Sequence, residues 1–242
     1  TKSFHTRQPS CTVAALVPHR VHSTCPRMKD FVARRAAHRS KANRDLMESS
    51  LPNPFLAAVR RLRKTIPEWN TFFETDAETM RMNWVRLEVL AQPLFDKYAW
   101  AIPNERALRI LTSFSPLIEI GAGKGYWAAL LRLVEVDILA YDKKVAVDCW
   151  TEVLKGGPKM LQQPEAEGRT LFLCYPDDSM DLSTRCLEAF EGEYIVHVGE
   201  LVTTGTLSGG DQAPFGRSTG AEFSVALAST FHCLLCAFLP RM

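Results

Sequence analysis

The sequence predicts an α/β fold, a parallel sheet flanked by helices, with a helical extension and a basic arm ahead of it. Three observations predict it. From residue 117 onward, short apolar runs alternate with helical stretches, the pattern that gives parallel strands joined by right-handed crossovers. The first run, Leu117-Ile118-Glu119-Ile120, empties into Gly121-Ala122-Gly123-Lys124-Gly125 and the helix-like Tyr126-Trp127. Glycines at 121, 123 and 125 let the backbone take positive φ and approach a ligand without Cβ interference. The second run, VDILAYD, ends in Asp142, 21 residues after Gly121, close to the separation at which an acid meets ribose hydroxyls in nucleotide-binding sheets.

In chain order, residues 1–46 are rich in Arg, His, Ser and Thr, poor in acid, and lack a sustained apolar period. Organisation begins near residue 51. Asn53-Pro54 supplies an N-cap and a Pro at the first helical position, and Phe55, Val59 and Leu62 form one stripe of a helix that Pro67 ends. Thr75-Asp76-Ala77-Glu78 resembles a capping box and opens a helix through about 91, with Trp84, Leu87, Leu90 and Ala91 as its buried side. Pro93 restarts a short helix, PLFDKYAWA, and Asn104 caps another, ERALRILTSF. Strands are predicted at 117–120, 137–141, 170–175, 194–198 and 231–238, with a weaker candidate at 151–154. Helices are predicted at 124–134, 158–165, 180–190 and 220–229, and 203–220 is a Gly/Ser/Thr-rich loop. The chain therefore divides into a basic arm (1–50), a helical layer (51–114) and a Rossmann-like domain (115–242).

The glycine spacing is G-x-G-x-G, not the G-x-G-x-x-G of dinucleotide folds. Tyr126 holds the slot of the third glycine, where a ring would hinder the close helix–strand packing that a pyrophosphate site uses. This argues against NAD-linked redox chemistry. An acid two places before the first glycine, Glu119, gives the acid-x-Gly-x-Gly-x-Gly turn that resembles motif I of the class I methyltransferases, which use S-adenosylmethionine. On that reading Asp142 binds the ribose, and Glu119 orients the turn or the amino group of the methionine part. The helix start at Lys124–Tyr126 favours its carboxylate. The strand Leu171-Phe172-Leu173-Cys174 runs into Tyr175-Pro176-Asp177-Asp178, where such enzymes place motif IV beside the reactive methyl. Tyr175 and Asp177 are the candidate catalytic residues, a stacking ring and a base. Cys174, inside an apolar strand without a cationic neighbour, reads as a core thiol, and His197 as a core histidine.

The order Tyr98-Ala99-Trp100-Ala101-Ile102-Pro103, LIEIGAGKGYWAALL, VDILAYDKK, GGP at 156–158, LFLCYP and VHVGE at 196–200 resembles a family of methyltransferase-like proteins of the type YAWAIP…IEIGAGTGYWA…VVAYD…LLLCWPP…IYVGE. The match covers about 95–240. It implies an S-adenosylmethionine-binding fold with Trp100 closing over the cofactor, and no particular substrate. The family's C-W-P-P is Cys174-Tyr175-Pro176-Asp177 here, which points to a degenerate member. Class I methyltransferase sheets end in a β-hairpin, for which residues up to 242 leave one strand only. The expectation is an incomplete hairpin whose edge a protein partner covers.

Charge separates the two parts of the chain. Residues 1–46 hold ten Lys/Arg against two acids, a net of +8, and 47–242 hold nineteen against twenty-five, a net of −6. The arm suits mitochondrial targeting or contact with RNA or a ribonucleoprotein. Seven scattered cysteines imply no disulfide framework and a reducing compartment. Cys233-x-x-Cys236 lacks a second pair, so no metal site is expected. No run reaches the about 18 apolar residues of a membrane helix. Two readings follow: a mitochondrial, RNA-associated methyltransferase, or a catalytically degenerate methyltransferase fold serving as a structural or assembly subunit of a ribonucleoprotein such as the mitochondrial ribosome.

Overall fold

A computed structural model describes residues 12–18, 52–65, 76–176, 182–199 and 231–238. Five strands form a parallel sheet: β2 (Leu117–Ile120), β3 (Ile138–Asp142), β4 (Leu154–Lys155), β5 (Thr170–Cys174) and β6 (Ile195–Gly199). Helices flank it: α1 (Pro54–Lys64), α2 (Ala77–Lys97), α3 (Glu105–Thr112), α4 (Tyr126–Arg132) and α5 (Leu182–Ala189). Two further strands, β1 (Thr12–Pro18) and β7 (Phe231–Phe238), complete the order β4-β3-β2-β5-β6-β1-β7.

Strand alternation sorts the core into two layers. Leu117, Phe172, Val196 and Val198 face one layer with α1, α3 and α4. Ile118, Ile120, Leu171, Leu173 and Ile195 face the other with Cys186 of α5 and Leu161. Chain order reverses direction across the sheet between β2 and β5. In open α/β sheets, ligands bind outside the carboxyl ends of strands at such a reversal, and the glycine turn begins there.

β1 is the main departure from the sequence reading, which placed no element in 1–46. Its TVAALVP run is a short apolar stretch of the kind that forms a buried strand, within a segment whose overall composition is polar. β1 lies antiparallel to both β6 and β7. β1 thus takes the place between β6 and β7, and β7 is the edge strand of the sheet among the described residues.

Pro93 does not start a new helix; it lies inside α2. The carbonyl of Val89, four residues back, loses its partner, but Val89 is 68% exposed, so water can replace it. Asp76 is the N-cap of α2, its carboxylate accepting from the backbone N–H of Glu78 and Thr79 at 3.1 and 2.9 Å. Ala91 is buried as expected, but Leu90 is exposed, and the Trp84 and Leu87 side chains lie outside the described residues. The helix expected over 158–165 is instead two 3₁₀ turns, Pro158–Gln162 and Pro164–Ala166. Pro164 cannot donate to an α-helical ladder, so the segment closes in shorter turns. The strand candidate at 151–154 shortens to Leu154–Lys155. The helix at 220–229 and the loop at 203–220 lie outside the described residues. Among the described residues, no helix is long and apolar enough to cross a membrane.

Candidate functional site

The glycine turn is fastened at each step. The N–H groups of Gly121 and Ala122 donate to the carbonyl of Tyr141 at 2.9 and 3.0 Å, and Gly125 N–H donates to Ala122 O at 2.8 Å. Gly121, Gly123 and Gly125 all have positive φ, 83°, 56° and 72°, conformations that L side chains disfavour. Their surroundings differ. A Cβ on Gly125 would lie 2.6 Å from Val153 Cγ2, and one on Gly121 would lie 3.1 Å from Leu182 Cδ2, whereas one on Gly123 would meet nothing within 4 Å. Gly125 and Gly121 are glycines because the protein crowds them. Gly123 has open space beside it and lines the cavity described below.

Tyr126 explains why the third glycine of a dinucleotide turn is absent. Its ring packs edge-on against Phe55 and Tyr98 with centroids 6.0 and 5.0 Å away. Its hydroxyl donates to Asn53 Oδ1 at 2.9 Å and accepts from Phe55 N–H at 3.2 Å. Asn53 also caps α1 through Leu56 N–H at 2.9 Å and donates to Pro103 O at 2.6 Å. The tyrosine thus docks the helical layer onto the turn.

A cavity of about 190 Å³ is lined by Glu119, Gly121, Gly123 and Lys124 of the strand and turn together with Phe95, Tyr98 and Trp100. Trp100 stacks on Phe95 at 5.1 Å, so the end of α2 and the loop after it contribute an aromatic part of the lining. Ligand pockets commonly measure about 300–1,000 Å³, so this cavity is a small one.

Glu119 is the distinctive group in it. It is 2% exposed, and its Oε2 has no hydrogen-bond partner among the described residues. Burial pushes its carboxyl up to about 8; the positive charge of Arg132 opposes that rise and Asp142 adds to it. Arg132 is itself committed, donating to Thr151 Oγ1 at 2.7 Å, Glu152 O at 2.8 Å and Ile138 O at 2.9 Å. Trp127, which lines the same cavity, has a buried indole N–H without a partner among the described residues. A buried acceptor and a buried donor, each without a partner among the described residues, are costly to a fold.

Asp142, expected at a ribose, holds the backbone of the turn. Its Oδ2 accepts from Gly123 N–H and its Oδ1 from Lys144 N–H, both at 2.8 Å, and it does not line the cavity. It fastens the turn, with a second lone pair on each oxygen left for a hydroxyl. Tyr175 is not in the cavity lining either. It is buried, its φ is 45°, a strained conformation for a non-glycine residue, and its N–H donates to Val198 O at 2.8 Å. Asp177 lies outside the described residues. The structure therefore brings Trp100, Glu119, Gly121 and Gly123 together, places Gly125 and Asp142 as supports, and leaves Tyr175 apart.

Sequence reasoning missed Phe95, Tyr98 and Trp127 as cavity walls; the aromatic density of the Tyr98–Trp100 and Tyr126–Trp127 pairs was the available signal. Cys174, read as a core thiol, is half-buried and lines the cavity, because β5 ends there. His197 is fully buried in β6, where burial lowers it to about 4 and keeps it neutral. Among the described residues, no cluster of His, Cys, Asp and Glu is gathered that could hold a metal ion. No protein-family profile, curated protein or solved structure matches the chain.

Proposed function

We propose that the chain is an S-adenosylmethionine-binding protein with a class I methyltransferase-like, Rossmann-like fold, mitochondrial and RNA-associated. The observation that carries this reading is the buried Glu119 carboxyl, whose Oε2 has no partner among the described residues, lining the same cavity as the open Gly123 at the sheet's reversal point. A carboxylate there suits the ammonium of an amino-acid moiety, and the Trp127 N–H suits an acceptor on the same moiety. Trp100 would close the wall over it, and Asp142 would offer its remaining lone pairs to ribose hydroxyls. When bound, S-adenosylmethionine supplies an activated methyl group. The chain's own contribution is to bind, orient and exclude water, which suffices for transfer to a good nucleophile.

Binding follows from Glu119 in a checkable way. An ammonium prefers the ionised carboxylate, so affinity should rise with pH until Glu119 is ionised in the free protein, near 8. Calorimetric titration with S-adenosylmethionine tests this in the wild type, Gly123→Val, Asp142→Ala and Glu119→Gln. Loss of binding in the first two and a flattened pH profile in the third are expected. Unchanged binding in all three would sink the assignment.

A second reading, the degenerate fold acting as a structural or assembly subunit of a ribonucleoprotein such as the mitochondrial ribosome, is favoured by one observation: Tyr175 is absent from the cavity lining. Transfer of labelled methyl from S-adenosylmethionine to any cellular fraction would decide for the enzyme; cofactor binding without transfer would decide for the subunit. The acid-poor residues 1–46 support mitochondrial targeting and RNA contact. A cleaved targeting signal would have to be cut before Thr12 for the sheet to keep β1, which amino-terminal sequencing of the organellar protein can check.

A further inference from the structure

We infer that Cys174 is a modification site of the cavity, a thiol that exchanges with small disulfides carrying an ammonium group and so closes the cavity reversibly. The exchange itself needs no cofactor; its consequence for S-adenosylmethionine rests on the proposed function.

The sheet sets the placement. On β5, Phe172 and Cys174 are two residues apart and so project from one face, and both pack in the same core layer. Register pairs Phe172 with Glu119 of β2, which puts Glu119 on that face too. Trp127 of α4 meets Phe172 edge-on with centroids 5.6 Å apart. Cys174, Glu119 and Trp127 are thus grouped around one buried ring, and all three line the cavity. The other two cysteines among the described residues are placed differently. Cys186 is buried, which pushes its thiol up to about 12. Cys149 Sγ donates to Ala146 O at 3.1 Å and is not part of the lining. Cys174 combines a half-buried thiol with a place in the cavity wall.

The same lining holds two side chains, each 2% exposed, with a polar atom that has no partner among the described residues: Glu119 Oε2 and Trp127 Nε1. The cation that acts on Glu119, Arg132, directs its donors to Thr151 and to the carbonyls of Glu152 and Ile138. An ammonium on an entering molecule supplies the donor that Oε2 lacks. The lining also selects its sign. Its charged groups are Asp96, Glu119 and Lys124, and Lys124 is paired with Asp148 at 2.7 Å, so a cation is favoured over an anion. A disulfide of a small aminothiol meets these conditions, and a cavity of about 190 Å³ has room for one aminoethylthio arm. In the exchange the Cys174 thiolate attacks one disulfide sulfur. A new S–S bond forms as the old one breaks, and the other half departs as a thiolate that takes up the proton Cys174 lost. The oxidising equivalent comes from the disulfide, and excess thiol reverses the step.

The test uses the full, reduced chain and three probes: cystamine, which is cationic, the neutral bis(2-hydroxyethyl) disulfide, and glutathione disulfide, which is anionic. Peptide mass spectrometry follows Cys174, with each probe's rate normalised to its rate on a free-cysteine peptide. Cystamine should modify Cys174 about 10-fold faster than the neutral probe, the lower end of what a cleft of one sign adds to association, and the anionic probe should be slowest. Glu119→Gln should shrink the cystamine preference. Equal normalised rates for the three probes on the wild-type chain, a comparison that involves no variant, overturn the inference, as does a Cys174 that none of them modifies. A preference kept in full by Glu119→Gln overturns the role given to that carboxyl. Calorimetry with S-adenosylmethionine separates this inference from the cofactor reading. The cystamine-treated chain should lose affinity and regain it with dithiothreitol, whereas the same treatment should not alter binding by Cys174→Ser. Undiminished binding by the modified chain defeats the closing of the cavity. Cystamine-selective modification with no cofactor binding by the untreated chain defeats only the cofactor reading; cofactor binding with an unselective Cys174 defeats only this one.

Discussion

The two wings of the sheet, on either side of the β2–β5 boundary, are built in different ways. The β2-β3-β4 wing comes from one contiguous stretch, 117–155, and its glycine turn is secured by Tyr141 O, Asp142 and the Tyr126–Asn53 pair. The other wing, β5-β6-β1-β7, collects strands from 12–18, 170–199 and 231–238. At the carboxyl end of β5 the backbone of Tyr175 is strained, and the next catalytic candidate, Asp177, lies outside the described residues. The half that would hold a cofactor is locally encoded and braced. The half that would hold a methyl acceptor depends on distant segments and carries the altered motif.

The largest effect should come from undoing the bracing at Tyr126. This ring is 2% exposed and touches three aromatic neighbours. Tyr126→Ala should lose about 3–5 kcal/mol of stability, as aromatic truncations in cores do, in urea unfolding. Tyr126→Phe removes only the hydroxyl bonds to Asn53 and Phe55 and should lose about 1–2 kcal/mol. Equal losses would mean that the hydroxyl, not the packing, docks the helical layer.

The opposite wing can be broken from the backbone. Ala14 pairs with His197 on one side and Cys236 on the other. Ala14→Pro removes an N–H from the middle of a sheet and should cost on the order of 2–3 kcal/mol. In hydrogen exchange, β6 amides should lose protection while those of β2 and β3 keep theirs. Uniform loss would show that the wings open as one unit and would remove the distinction between them.

This contrast also explains what was legible in the sequence. Strand β2, the turn and Asp142 could be read because the signals lie within a few residues of one another. Asn104 and Asn53 were read as caps for the same reason; Asn104 Oδ1 accepts from Ala107 N–H at 2.8 Å. The role of β1 was hidden, since five apolar residues in a basic, polar segment do not say which strand they will join. Glu119 was legible as a residue beside the glycine turn, but the missing partner of its Oε2 was not, because whether a carboxylate finds a partner is a property of packing. Asp142 was located correctly in the chain, and only the structure shows its oxygens turned to the turn's own backbone.

Glu119 gives a pH signature in the braced wing. Its folded pKa, about 8, lies above the ordinary value of 4.5. Below 4.5 the group is neutral in both folded and unfolded chains and contributes no slope. Between 4.5 and 8 the folded chain keeps a proton that the unfolded chain has released, so stability falls as pH rises, by up to about 1.4 kcal/mol per unit. Above 8 the slope ends. Glu119→Gln has no such dependence, so its stability relative to wild type should climb across that window in urea titrations at pH 5, 6.5 and 8. Parallel curves would mean that the carboxylate is partnered or hydrated, which would also remove the main support for an ammonium-binding site.

The smallest change sharpens the comparison most. Asp142 uses both oxygens to hold two N–H groups, Gly123 and Lys144. Asn at this position has one acceptor oxygen and an NH₂ that cannot accept, so Asp142→Asn can keep one of the two bonds. A loss of about 1–2 kcal/mol is expected, with faster hydrogen exchange at Gly123 or Lys144 and little change in β6. If the turn is braced mainly by Tyr141 O and Gly125, S-adenosylmethionine should still bind to Asp142→Asn, and the lost affinity would report the ribose contact alone. If Asp142 is what holds Gly123 in its open position, the amide and the ligand should be lost together. The first outcome makes Asp142 a ligand contact that happens to touch the turn. The second makes it part of the turn, and the cofactor half of the cavity a structure preformed by its own second strand.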